Sequence, residues 1–331
     1  MVKNNVVVPE IKNEGTATTM PIITVDQLVK RYKKAEQNAV DGISFDVPSG
    51  SLFALLGPNG AGKTTAISIL TTTLAATSGT VRIAGYDLAT QPHLVRRQIG
   101  IIFQRPSLDL NLTAEENIRL HATLYGLYPY RPFFRWMSPA YRTRVQELAQ
   151  LLEIQDSLFK PVKTFSGGMK RKLEIVRSLL HRPAVLFLDE PTTGLDPISR
   201  RGLWDYLRQV RAESGTTVFL TTHYLEEAEG ADQVCIMNHG RIISNGTPEQ
   251  LKAELAPSTL TIDAENRDQL RSELQHLGQL CKEKEDAPFT LTSADEQVHQ
   301  VLRQIQTPLT LVKTQSLTLE DAYLRIIQQE M

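Results

Sequence analysis

The chain has 331 residues, 41% hydrophobic and 22% charged, with a formal net charge of −1. That length suffices for two domains with cores of their own, and near-zero charge argues against a global basic field for nucleic acid. Two cysteines, Cys235 and Cys281, are too few for a disulfide framework. Cys235 sits in the apolar run Val234–Met237 and is expected to be a buried, reduced thiol, the usual state in a reducing compartment. No stretch approaches the ~18–20 apolar residues that span a bilayer. The N-terminus lacks the apolar stretch of a secretory signal. Residues 1–21 are expected to form a loose polar tail, and any membrane role to come through a partner chain.

From Ile22 short β-like runs alternate with turns. Ile43–Val47 is one, ended by Pro48-Ser49-Gly50. Ser51–Leu56 is near-continuously apolar and stops at Gly57, the pattern of a buried strand. A helix pattern follows, with Ile67, Leu70 and Leu74 on one face and Gly79 as its stop. Residues 105–182 are predicted to be mostly helical. Ala184–Leu188 and Thr216–Thr222 are short apolar runs suited to strands buried on both faces. Strands alternating with helices predict an α/β fold with a parallel sheet. Beyond Leu255 strand-like runs (Thr259–Ile262, Leu309–Val312) alternate with polar helices, and a small C-terminal α+β domain is expected over 255–331.

Gly57-Pro58-Asn59-Gly60-Ala61-Gly62-Lys63-Thr64 fits G-x-x-x-x-G-K-[ST]. It follows a predicted buried strand and opens a predicted helix, the context that separates a phosphate loop from a chance match. Glycines let backbone N–H groups turn around phosphate oxygens, and the helix N-terminus adds about half a positive charge. Lys63 supplies a cation for the β- and γ-phosphates, and the Thr64 hydroxyl is placed to ligate Mg²⁺. Thr65 is included in the nucleotide-binding set. The strand Ala184–Leu188 ends in Asp189-Glu190. Carboxylates at the carboxyl end of a buried parallel strand face the crevice where ligands bind. Asp189 is expected to hold Mg²⁺ and Glu190 to act as general base on the attacking water.

With these in place, Phe165-Ser166-Gly167-Gly168-Met169-Lys170 resembles the signature of the ATP-binding cassette family, with Phe and Met at its two ends where Leu and Gln are usual. The S-G-G-M form is similar to the daunorubicin-resistance-type exporter ATPases. Taken alone, Ser-Gly-Gly is equally a helix cap. The resemblance covers residues 22 to about 250, and more loosely the tail, where Leu317–Leu324 is similar to the L-E-D-x-[FY] ending of exporter ATPases. It implies a P-loop NTPase with a RecA-like parallel core sheet, an N-terminal antiparallel β subdomain and a helical subdomain at about 105–182, all within a cassette domain at 22–254. It further implies that Tyr32 stacks on adenine, a ring that as a lone Tyr near a strand end would more often be core. Gln104 would sense Mg²⁺ and the attacking water. Asp196, in Thr193–Pro197, would cross a dimer interface, a plain turn being the alternative. His223, closing the run Thr216–Thr222, would contact the γ-phosphate.

By the same resemblance Ser166, Gly167 and Gly168 meet the γ-phosphate of a second ATP-binding subunit, most simply another copy of this chain. ATP and Mg²⁺ are the implied ligands, a polytopic permease the implied partner, and the cytoplasmic face of the cell membrane the implied location. Export is favoured over import, and no nucleic-acid partner is expected. The alternative is a soluble cassette ATPase acting on ribosomes or DNA. A single cassette without long coiled coils argues against it, and an intact Glu190 and His223 argue against a cassette that binds without hydrolysing. One segment stands apart. The chain has ten Phe, nine Tyr and two Trp, and a third of them lie in residues 125–141, interleaved with Arg131 and Arg135 and broken by prolines. This resembles an insertion in the helical segment. Its rings either pack onto the adjoining helices or dock on the permease or its flanking lipid.

Overall fold

A computed structural model describes residues 21–104, 107–255, 258–277, 288–293, 302–315, 318–320 and 323. The expected N-terminal tail, Cys281, and Leu317, Asp321, Ala322 and Leu324 of the C-terminal motif lie outside them. In chain order the elements are β1 (Ile23–Lys30), β2 (Val40–Val47), β3 (Leu52–Leu56), α1 (Lys63–Leu70), β4 (Ser78–Ile83), β5 (Tyr86–Asp87), α2 (Pro92–Gln98), β6 (Ile99–Ile102), α3 (Ala114–Leu124), α4 (Pro139–Leu151), α5 (Gly167–Leu179), β7 (Val185–Asp189), α6 (Pro197–Ser214), β8 (Thr217–Thr222), α7 (Leu225–Glu229), β9 (Gln233–Asn238), β10 (Arg241–Gly246), α8 (Pro248–Leu255), β11 (Ser258–Ala264), α9 (Arg267–His276), β12 (Phe289–Ser293) and β13 (Leu309–Gln315).

The core is a six-stranded sheet in the order β10-β9-β3-β8-β7-β6, parallel except for β10 at one edge. Every residue of β3, β7 and β8 is buried, which is why these strands read as continuous apolar runs rather than alternating ones. Alternate residues serve opposite faces. Leu52, Ala54 and Leu56 join a core with α3, α4 and α5, whereas Phe53 and Leu55 join a second core with α1 and the antiparallel sheet β2-β1-β4-β5. In that second core Phe45, Phe53, Phe219 and Phe187 form a run of rings 5.1–5.3 Å apart, and Cys235 is buried there as a free thiol. Aromatic pairs at such distances add to their area burial.

Helix α1 ends earlier than its apolar spacing predicts. The Thr71 hydroxyl bonds back to the Ile67 carbonyl at 2.7 Å, and Thr72 adopts φ 61°. Side-chain competition for helix carbonyls and a left-handed residue terminate the helix. Leu74 still packs on the core, but from a loop. The aromatic segment divides. Tyr141 is fully buried in α4, and Tyr128 and Phe134 pack beside it with centroids at 5.3 and 6.1 Å. Tyr125, Tyr130, Phe133 and Trp136 are exposed.

The C-terminal strands form a separate three-stranded antiparallel sheet, β12-β11-β13. Leu270 and Leu274 of α9 close its apolar face with Leu260, Ile262, Phe289 and Leu291. Leu319 returns to the larger core, where it is fully buried.

Candidate functional site

The loop between β3 and α1 owes its shape to two glycines. A Cβ on Gly57 would lie 2.2 Å from the Met237 carbonyl, and Gly62 takes φ 104° against the Ala39 carbonyl. Neither position admits a side chain. Ala61 is buried beneath the loop while Asn59 and Gly60 lie exposed at its tip. Lys63 is folded back, its ammonium donating to the carbonyls of Gly57 at 2.7 Å and Pro58 at 3.0 Å. Burial pulls its pKa below the ordinary lysine value, opposed by the nearby Glu190 and Asp189 carboxylates. Thr64 is exposed. The Thr65 hydroxyl lies 3.4 Å from the Tyr32 hydroxyl, so the exposed Tyr32 ring stands over the start of α1.

Asp189, the last residue of β7, is buried and accepts from the Thr221 hydroxyl of β8 at 2.5 Å. Burial raises its pKa; the Thr221 hydroxyl, Lys63 and Arg171 oppose that, and Glu190 adds to it. Strand alternation alone would send the next side chain to the opposite face. Glu190 instead takes φ 45°, with its N–H donating to the Thr221 carbonyl and hydroxyl. A non-glycine residue in this region is uncommon. The turn brings Glu190 between two distant residues. Gln104 donates its amide to Glu190 Oε2 at 2.9 Å, and His223 Nδ1 sits 3.2 Å from Oε1. A carboxylate only accepts, so that histidine nitrogen carries the proton.

Ser166, Gly167, Gly168 and Asp196 form a second group. Ser166 caps α5, accepting from the Met169 N–H at 3.2 Å. Asp196 caps α6 through Ile198 and Ser199, each N–H at 3.0 Å. A Cβ on Gly168 would lie 2.6 Å from the Ser199 hydroxyl, so the two helix starts pack together. Among the described residues no hydrogen bond joins this group to Lys63, Asp189, Glu190, Gln104 or His223.

Two residues escaped the sequence reading. Arg171 and Glu174, one turn apart on α5, are both buried and paired at 3.1 Å. Arg171 donates to the Phe103 carbonyl at 2.6 Å and the Pro191 carbonyl at 3.0 Å, while Glu174 accepts from the Ser107 N–H at 3.0 Å. The pair thus grips the chain on both sides of Gln104. The only trace in the sequence is an Arg-x-x-Glu spacing, indistinguishable from a surface helix pair.

The family model described as ABC transporter matches residues 40–193. The chain is 42% identical over 249 residues to the daunorubicin/doxorubicin resistance ATP-binding protein DrrA of Streptomyces peucetius, covering 74% of this chain and 72% of that one. It is 35% identical over 325 residues to the Nod factor export ATP-binding protein I of Ralstonia nicotianae, covering 94% and 95%. Among solved structures, the ATP-binding subunit of an ABC transporter superposes with a TM-score of 0.61 at 32% identity, over 70% of this chain and 92% of that one. An ATP-binding cassette of an ABC transporter in its ADP conformation gives 0.63 at 26% identity, over 70% and 93%. With a phosphate loop, a strand-end carboxylate pair and a signature helix in one α/β core, and relatives of this closeness over most of its length, the chain belongs to the ABC transporter family as an ATP-binding cassette.

Proposed function

We propose that this chain hydrolyses Mg-ATP at a site shared between two cassettes, and that the cycle powers export through a separate polytopic permease. The observation that carries the reading is Glu190, held between Gln104 and His223 beside the buried Asp189 and Lys63. Lys63 would leave the Gly57 and Pro58 carbonyls for phosphate oxygens. Gln104 and His223 each occupy one lone pair of a different Glu190 oxygen, which leaves the carboxylate further acceptor sites for the attacking water. Glu190 is thus oriented by Gln104 and His223 to take a proton from a water placed beside it. Gln104 would then help place the water, and His223 would turn its second nitrogen to the γ-phosphate.

Thr64, Asp189 and Gln104 offer a hydroxyl, a carboxylate and an amide oxygen, an all-oxygen set suited to Mg²⁺. Bound there, the ion would neutralise charge on the transferring phosphoryl group. Tyr32 would stack on the adenine. The separate placement of Ser166, Gly167, Gly168 and Asp196 supports their use by the opposite subunit, across a homodimer. Residues 22–254 would form the cassette and 255–331 an accessory domain, a division supported by the separate apolar cluster of β11–β13 and α9. Among the described residues no helix is long and apolar enough to cross a membrane. The names of the relatives, resistance and export ATP-binding proteins, support export, and the chain would act on the cytoplasmic face of the membrane, bound to its permease. The test is purification of the tagged chain from membranes. A polytopic protein should accompany it and the pair should show Mg-dependent ATPase activity. A chain recovered only with soluble partners would refute the transport reading.

A further inference from the structure

The divided aromatic segment leaves a built patch that nucleotide chemistry does not use. Buried Arg119 anchors it from beneath, donating to the Arg131 carbonyl at 2.7 Å while its charge is met by Glu115 at 3.1 Å and Glu116 at 3.9 Å. Phe134 locks the segment inward between Tyr141 and Phe159. What remains outside is a set of rings: Tyr130 is 53% exposed, Phe133 51%, Trp136 53% and Phe159 60%. Exposed rings gathered in one place, rather than scattered singly, mark a contact surface. Arg135 lies over both Phe133 and Trp136, at 5.5 and 5.6 Å from the ring centres. Exposed Arg131 and Lys160 adjoin Tyr130 and Phe159 along the chain. Among the described residues no carboxylate lies within ion-pair distance of Arg131, Arg135 or Lys160. Between the rings and the start of α3 lies an open cavity of about 570 Å³.

Glu115 and Glu116 also line this cavity, but both face Arg119, so the rings with Arg131 and Arg135 match one chemistry closely. Trp and Tyr settle at the headgroup level of a bilayer, and cations are drawn to anionic lipid. We propose that Tyr130, Phe133, Trp136 and Phe159, with Arg131, Arg135 and Lys160, form a site for an anionic phospholipid surface. The site would seat the cassette directly on the membrane beside its permease. It is independent of the nucleotide site.

The test floats the full-length protein with vesicles of phosphatidylcholine alone, or of phosphatidylcholine with phosphatidylglycerol, at low and high salt. The wild type should float with the anionic vesicles only, and less at high salt. Arg135→Ala should lower the vesicle partition constant about fivefold, the worth of one cation near such a surface. Phe133→Ser/Trp136→Ser should abolish binding while ATPase activity without vesicles stays at the wild-type rate. The chain has two tryptophans, so Trp204→Phe leaves Trp136 as sole reporter, and its emission should shift to the blue with anionic vesicles. Equal flotation with both vesicle types, or no shift in Trp136 emission, overturns the proposal. So does a double variant that floats like wild type; if that variant also loses its membrane-protein partner, the patch is a protein-docking surface instead.

Discussion

The proposed mechanism gives Glu190 and Lys63 separable tasks, and single substitutions should separate them. Glu190→Gln keeps the shape and the contact with His223 but loses the base, so turnover should fall about 10²–10⁴-fold. ATP binding should persist and a nucleotide-bound dimer accumulate, visible by light scattering; near-normal steady-state hydrolysis would remove Glu190 from the role of base. Lys63→Ala should fail at binding. Saturation at a hundred times Kd stabilises a fold by about 2.7 kcal/mol, so Mg-ATP should raise the Tm of wild type clearly and that of Lys63→Ala little. Equal shifts would contradict a phosphate role for Lys63.

At the scale of elements, α5 links the signature to the Gln104 segment through Arg171 and Glu174. Breaking a buried pair by removing one partner costs about 3–5 kcal/mol, whereas replacing both by apolar groups is often neutral. Arg171→Met should therefore be strongly destabilised. Arg171→Met/Glu174→Leu should recover much of the lost Tm yet remain slow in hydrolysis, because the Phe103 carbonyl and the Ser107 N–H lose their holds. A double variant with full kcat would show that the pair serves stability alone. The end of α3 also meets the turn after α5 through His121, Tyr125 and His181, with successive ring centres 4.2 and 5.6 Å apart. Burial holds His121 down to about 3 from 6.5, with nearby Arg177 and His181 adding to the effect; burial also lowers His181, against its bond to the Ile99 carbonyl. A depressed folded-state pKa gives stability that is complete above the unfolded value and lost as pH falls towards the folded one. The window for His121 therefore runs from about pH 6.5 down to about 3, with about 2 kcal/mol lost between pH 7 and pH 5. Urea melts of His121→Phe should show a flatter pH dependence than wild type. An unchanged slope would mean that His121 is not the titrating group.

For the whole molecule the question is whether the two residue groups work in one chain or across two. Ser166→Arg removes a helix cap, a loss of about 1 kcal/mol, too small to unfold a domain of this size. It should nonetheless abolish dimer-dependent hydrolysis while the monomer still binds nucleotide. Mixed with Lys63→Ala protein, it gives heterodimers in which one site carries both defects and the other neither. Activity should return on mixing. Two inactive variants that form heterodimers and stay inactive would exclude the shared-site arrangement.

The phosphate loop, the strand-end carboxylates and the fully buried strands were legible in the sequence because each is local: a fixed spacing of glycines, or an apolar run with a turn at its end. Tertiary structure alone decided what those features meet. Gln104 and His223 lie 86 and 33 positions from Glu190, and no periodicity encodes such a pairing. The left-handed turn at Glu190 is held by hydrogen bonds its N–H donates to Thr221 of the neighbouring strand β8, so strand alternation alone would have misplaced its side chain. Arg171-x-x-Glu174 has the spacing of a surface pair and became a buried clamp only because α5 packs over Phe103 and Pro191. The aromatic run had one composition and two fates. Tyr128, Phe134 and Tyr141 turned inward and Tyr130, Phe133 and Trp136 outward, because the direction of a ring is set by the helices it meets and not by its neighbours along the chain.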